Sequence, residues 1–165
     1  MPSLINLEQV LATFVTSYLL TKFGRRTILL YGALFEGISC GLVMVGFFIK
    51  DSTSVGETLI LLGLFLFMAV FGLSLGPVVW LYIPEIVQPK IVPYSTASNW
   101  ISASLVIILF PIATDDILNG NPGALFIFFT AWCLGSFVFN YFYVLETKDK
   151  TEKAIREEYS NKQLC

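Results

Sequence analysis

The stretch GPVVWLYIPEIVQPK, from Gly76 to Lys90, sets Glu85 at the end of a long apolar run, with Gly76 and Pro77 upstream of it and Trp80 between. An ionisable group inside a lipid-soluble span costs about 2.5–3.5 kcal/mol near the bilayer centre on insertion scales, so it needs a partner or a route to water. Arg25 and Arg26, in KFGRR, fall on the same side of the apolar runs as Glu85. An ion pair between them offsets the desolvation of the carboxylate and ties two helix ends together. The plainer reading is an interfacial carboxylate that simply reaches water. Glu36 lies within another apolar run with no evident partner. Packing against the bundle or a water crevice, and ion coupling, are both open to it.

Other residues carry chemistry of recognition rather than catalysis. Ser95, Ser98, Asn99 and Ser102 recur at spacings of three and four and form one polar stripe on a helix. Such a stripe lines an aqueous path or glues two helices, since Ser and Asn hydrogen-bond across membrane interfaces. Trp80 suits an interfacial aromatic belt better than the functional alternative, a flat platform for a ligand. Gly76, Pro77 and Pro111 interrupt helical hydrogen bonding, either as packing kinks or as the breaks at which a membrane bundle bends or binds. Gly37-x-x-x-Gly41 and Gly72-x-x-x-Gly76 match close-packing motifs. There is no His, no phosphate-binding loop, and no clustered set of Cys or carboxylate ligands. The chain is therefore not expected to be an enzyme, and no cofactor or metal is expected. Cys40, Cys133 and Cys165 show no disulfide or metal spacing and read as apolar fillers.

The elements that must position these residues follow from composition. Of 165 residues 56% are hydrophobic and 13% charged, with a mean hydropathy of +0.76. That excludes an ordinary water-exposed globule and indicates an integral membrane protein. Uncharged runs from Thr58 to Pro84, Ile91 to Thr114 and Gly120 to Leu145 each exceed the ~20 residues that cross a bilayer. Two further runs give five expected helices, at about 4–21, 27–49, 58–83, 93–114 and 122–144, with the membrane part over 1–147 and a tail over 148–165. Without the alternating polarity of barrel strands, the fold class is all-α, a polytopic helical bundle. Nine of the ten Lys and Arg lie in loops one and three and the tail, which makes that side cytoplasmic and puts the N-terminus outside. The tail pairs Glu152 with Arg156 at i,i+4 and reads as a short solvated helix or as a polar tail with no partner. The lipid bilayer is the implied partner, no nucleic acid is expected, and the net charge of −2 says less than its distribution.

In order along the chain, TKFGRRTILLYG, GPVVWLYIPEI, NWISASLVIILFP and VLETKDKTEKAI resemble the successive signatures of the sugar porter family of the major facilitator superfamily. The likeness covers essentially the whole chain and corresponds to the last five of that family's twelve helices, eight through twelve. It implies transport of a sugar, a hexose, by alternating access, either as facilitated diffusion or as proton symport, in the plasma membrane. By the same resemblance, Arg25, Arg26, Glu85 and Glu146 are similar to the cytoplasmic charge network that latches the outward-facing state. Trp80 matches the tryptophan beside the sugar, Asn99 an asparagine that bonds sugar hydroxyls, and Gln9 an amide position on helix eight. An aromatic ring and an amide suit a pyranose, whose C–H face stacks while its hydroxyls bond.

Some positions depart from the pattern. Thr21 stands where an acid precedes FGRR, Val79 replaces a proline before Trp80, and Leu145 and Asp149 replace the Pro and Gly of PETKG. The resemblance also implies that helices one to seven are needed for alternating access, so the chain is expected to act as a C-terminal segment of a transporter. The alternative is a non-transporting membrane partner that packs with a full-length relative.

Overall fold

The computed structural model describes residues 14–117 and 121–163. Among these residues the fold is helical throughout, with no strand. A first helix, α1, covers 14–22, followed by α2 (Arg25–Ile49), α3 (Val55–Leu73), α4 (Leu75–Ile86), α5 (Val92–Ile112), a π-helical turn (Ala113–Ile117), α6 (Gly123–Tyr143) and α7 (Glu152–Gln163). Among the described residues four candidate spans are long and apolar enough to cross a bilayer: Arg25–Ile49, Val55–Ile86, Val92–Asp115 and Gly123–Tyr143. Gln9, expected on the first helix, lies outside the described residues.

α2 is the centre of the bundle and packs along both α3 and α6. Its buried positions, among them Leu29, Ala33, Glu36, Cys40 and Val43, recur every three or four residues. α3 approaches closely at Gly63, where an added Cβ would stand 2.6 Å from Val43 Cγ2 and 3.0 Å from the Ser39 carbonyl. Only a residue without a side chain permits that spacing. The Gly37 and Gly41 pair singled out by its motif rests more loosely on α6, with nearest neighbours at 3.3 and 4.0 Å from an added Cβ. α6 is held to α2 by stacked Phe47 and Phe126, with centroids 5.7 Å apart, and by Asn140 Nδ2, which donates to the Leu29 carbonyl at 3.2 Å. α5 buries no residue, and large apolar side chains such as Ile107 and Ile108 stand exposed along it. In lipid such a surface carries no penalty.

Proline chemistry explains the irregularities. The stretch expected as one helix over 58–83 is two helices, α3 and α4, broken at Ser74 with φ −129° and ψ −96°. Pro77 has no N–H for the Leu73 carbonyl, and its ring crowds that oxygen, so the ladder stops and restarts with Pro77 in a first turn, where no donor is needed. The carbonyls of Gly72 and Leu73 both accept the buried Thr16 hydroxyl at 3.1 Å. Ser74 Oγ turns back to the Val70 carbonyl at 2.6 Å. Pro111 likewise withholds a donor from α5, which passes into the π turn, and Thr114 Oγ1 donates to the Phe110 carbonyl at 2.9 Å.

Candidate functional site: a charged joint at the basic end

α2 starts abruptly after Gly24, which is extended at φ −75° and ψ 159° and provides no side-chain cap. Four amides of a helix start lack internal partners and carry the positive end of its dipole. The cap comes from the far end of the chain. Glu146 Oε1 accepts the Arg25 N–H at 2.8 Å and also the N–H groups of Thr147 and Lys148, each at 3.1 Å. Gly24 makes room for it, because a Cβ there would lie 1.8 Å from Glu146 Oε2.

The Arg25 guanidinium meets Glu85 Oε1 at 3.1 Å, with the two side chains 25% and 29% exposed. The second oxygen, Glu85 Oε2, accepts the Thr147 hydroxyl at 2.5 Å. Lys148 Nζ donates to the carbonyls of Thr21 and Lys22 at 2.8 and 3.1 Å, answering the open C-terminal end of α1. Thr21 offers its backbone oxygen, while its hydroxyl turns to the Tyr18 carbonyl at 2.7 Å. Ion pairing and capping thus join the ends of α1, α2 and α4 to the segment after α6.

A second layer lies beneath. The Tyr82 hydroxyl donates to the Leu145 carbonyl at 2.8 Å and sits 2.5 Å from the Tyr159 hydroxyl. The Leu145 N–H points to both phenol oxygens, at 3.1 and 3.2 Å. Tyr159 and the buried Ile155 dock α7 against the bundle. Tyr82 also belongs to the apolar core of this end, with Ile28, Leu29, Val78 and Val144. A cavity of about 660 Å³ adjoins it, lined by Leu75, Val79, Tyr82, Phe139, Asn140 and Tyr159 among others. The chain leaves the joint through Asp149, at φ 60° in the left-handed region that glycine adopts without strain.

The structure therefore brings Arg25, Glu85 and Glu146 together. Arg26 turns elsewhere, donating to the Tyr141 carbonyl at 2.7 Å. Gly76 and Pro77 lie in the first turn of α4, just past the break at Ser74. Trp80, 42% exposed on α4, and Asn99, exposed on α5, stand on successive helices and make no side-chain hydrogen bond or ring contact among the described residues. Glu36 is buried on α2, and its Oε1 has no hydrogen-bond partner. Sequence reasoning missed Thr16, Tyr82, Thr147, Lys148 and Tyr159. Tyr82 alone carried a signal, lying three residues before Glu85 on the same helical face.

Chemically the joint binds rather than reacts. Its carboxylates are engaged by a guanidinium, a hydroxyl and backbone amides, an arrangement that can separate and re-form without a covalent step. Among the described residues no group of three or more His, Cys, Asp or Glu could hold a metal ion.

A family model described as "Sugar (and other) transporter" matches residues 4–159. Hexose transporter 1 of Plasmodium yoelii yoelii is 34% identical over 145 residues, covering 84% of this chain and 27% of that protein. The glucose facilitated diffusion protein of Zymomonas mobilis is 32% identical over 163 residues, or 93% of this chain and 33% of that protein. Facilitated glucose transporter member 3 of Oryctolagus cuniculus is 28% identical over 144 residues, 84% of this chain and 28% of that protein. The chain spans about a third or less of the length of these curated relatives.

Proposed function

The chain belongs to the sugar transporter family, and from that premise we propose that it serves as the helix eight-to-twelve portion of a membrane carrier that moves a hexose by alternating access. Relatives named as hexose and glucose transporters support the substrate class. The observation that carries the reading is the joint itself. Arg25, Glu85, Thr147 and Glu146 hold three helix ends by contacts that can part reversibly, as a gate on the basic, cytoplasmic side must. Closed, the joint favours the outward-facing state; parted, it opens a path inward.

Trp80 and Asn99 are the ligand-facing residues in this reading. Each presents an exposed side chain without a partner among the described residues, one an aromatic face and one an amide. The sugar and the remaining helices of the carrier supply what covers them. Gln9, outside the described residues, is proposed as a further amide for the sugar on the family resemblance alone. Gly76 and Pro77, next to the break at Ser74, let α4 bend independently of α3 as the joint opens.

The test is hexose uptake by the intact carrier bearing Asn99→Ala. Loss of an amide that answers sugar hydroxyls costs about 1–2 kcal/mol, which raises KM about 5- to 30-fold with normal insertion. Unchanged KM and maximal rate would remove Asn99 from the sugar site. Absence of any saturable hexose flux in the parent would overturn the transport reading.

A further inference from the structure

Cys40 and Cys133, which looked unrelated in sequence, meet across the seam between α2 and α6. At Gly37, three residues before Cys40, an added Cβ would lie 3.4 Å from the Cβ of Cys133. Residues three apart on a helix are neighbours on its surface, so Cys40 faces the same partner helix. Both cysteines are free and face the same seam between α2 and α6. They line a common cavity of about 300 Å³ with Val43, Phe110, Phe126 and Phe129. Glu36 is one turn from Cys40, is 6% exposed, and leaves Oε1 buried without a hydrogen-bond partner. The apolar cavity sets the two cysteines side by side across the seam, and a hydroperoxide is a two-electron oxidant that can join such a pair.

We propose that Cys40 and Cys133 form a hydroperoxide-reactive thiol pair whose oxidation staples α2 to α6 through an interhelical disulfide. Cys133 is half-buried and Cys40 buried, so Cys133 reacts first and Cys40 resolves. The sulfur of Cys133 attacks one peroxide oxygen and the O–O bond breaks. The thiol proton joins the departing oxygen, giving a sulfenic acid and an alcohol, or water when the oxidant is hydrogen peroxide. Cys40 sulfur then attacks the sulfenic sulfur, the S–S bond forms, and hydroxyl and thiol proton leave together as water. The peroxide is reduced by two electrons, and the sulfur pair is oxidised by the same two. The product requires facing Cβ atoms about 3.5–4.5 Å apart, a separation that helices in such close contact can supply.

The experiment uses the full chain carrying Cys165→Ser, purified in detergent micelles, so that only the two paired thiols remain. It is treated with hydrogen peroxide or, separately, with cumene hydroperoxide, then alkylated and mapped by mass spectrometry without reduction. Both thiols should disappear together, yielding one cross-linked Cys40–Cys133 peptide that is lighter by two hydrogens and is restored by dithiothreitol. Reaction with hydrogen peroxide identifies an aqueous oxidant, and reaction with cumene hydroperoxide alone identifies one delivered from lipid. With Cys40→Ser added, oxidation should stop at a Cys133 sulfenic acid that dimedone traps. Thiols that stay fully alkylatable after both oxidants would overturn the proposal, as would a cross-link forming equally fast in the denatured chain.

Discussion

Gly24→Ala tests the capping of α2 by Glu146 with a single methyl group. The added Cβ would lie 1.8 Å from Oε2 and 2.1 Å from Cδ of Glu146, whereas real Cβ contacts essentially never fall below 3.0 Å. The carboxyl group must withdraw by more than an ångström, which takes Oε1 out of reach of the amides of Arg25, Thr147 and Lys148, now 2.8–3.1 Å away. Charged hydrogen bonds contribute about 1.5–3 kcal/mol each, but this site is partly solvated and the freed amides regain water, so a net loss of about 2 kcal/mol is expected. In a thermal melt that is a fall of about 4–8 °C in midpoint. The assay is a double-mutant cycle in fixed detergent with Glu146→Ala as the second change. In the Glu146→Ala background the methyl group meets no carboxylate, so Gly24→Ala should there cost almost nothing. Additive losses within about 0.5 kcal/mol would refute the reasoning and place the effect of Gly24 in its backbone alone.

Three other substitutions probe the elements that carry the joint. Thr16→Val keeps the shape of the side chain but strips the carbonyls of Gly72 and Leu73 of their donor. A loss of about 1–2 kcal/mol follows, readable as about 5- to 30-fold faster amide exchange at the start of α4. Gly63→Ala forces a Cβ to within 2.6 Å of Val43 Cγ2 and should lower stability by about 1–3 kcal/mol, with Val43→Ala restoring part of it in a melting series. Asp149→Gly should instead stabilise the tail attachment by about 0.5–1 kcal/mol, because glycine holds the observed φ of 60° without strain. Slower proteolysis of the tail would register that gain.

What the sequence made legible was what short-range physics controls. Long uncharged runs point to spans, and α2, expected at 27–49, occupies Arg25–Ile49. The break near Pro77 was readable as an interruption, but not its position at Ser74. That position depends on which carbonyls a neighbouring helix satisfies, and Thr16 is more than fifty residues away. Arg25 and Glu85 could be paired because each is costly alone in an apolar setting. Thr147, Lys148 and the Tyr82–Tyr159 contact carry no such cost and become visible only when distant segments meet. The glycine motifs located only part of the close packing, Gly76 among it, for a related reason. A spacing of four marks a small-residue face, whereas the tight contacts at Gly24 and Gly63 depend on what lies opposite.

The most direct test of the proposed gate is two-sided cysteine accessibility in the intact carrier, comparing the parent with Glu85→Gln. The amide keeps the shape of the side chain but gives up the ion pair with Arg25 and weakens acceptance of the Thr147 hydroxyl. The account predicts faster modification of reporter cysteines on the cytoplasmic side and slower modification on the outer side. Identical profiles from both sides would contradict it, and would leave the joint as a fixed brace between helix ends.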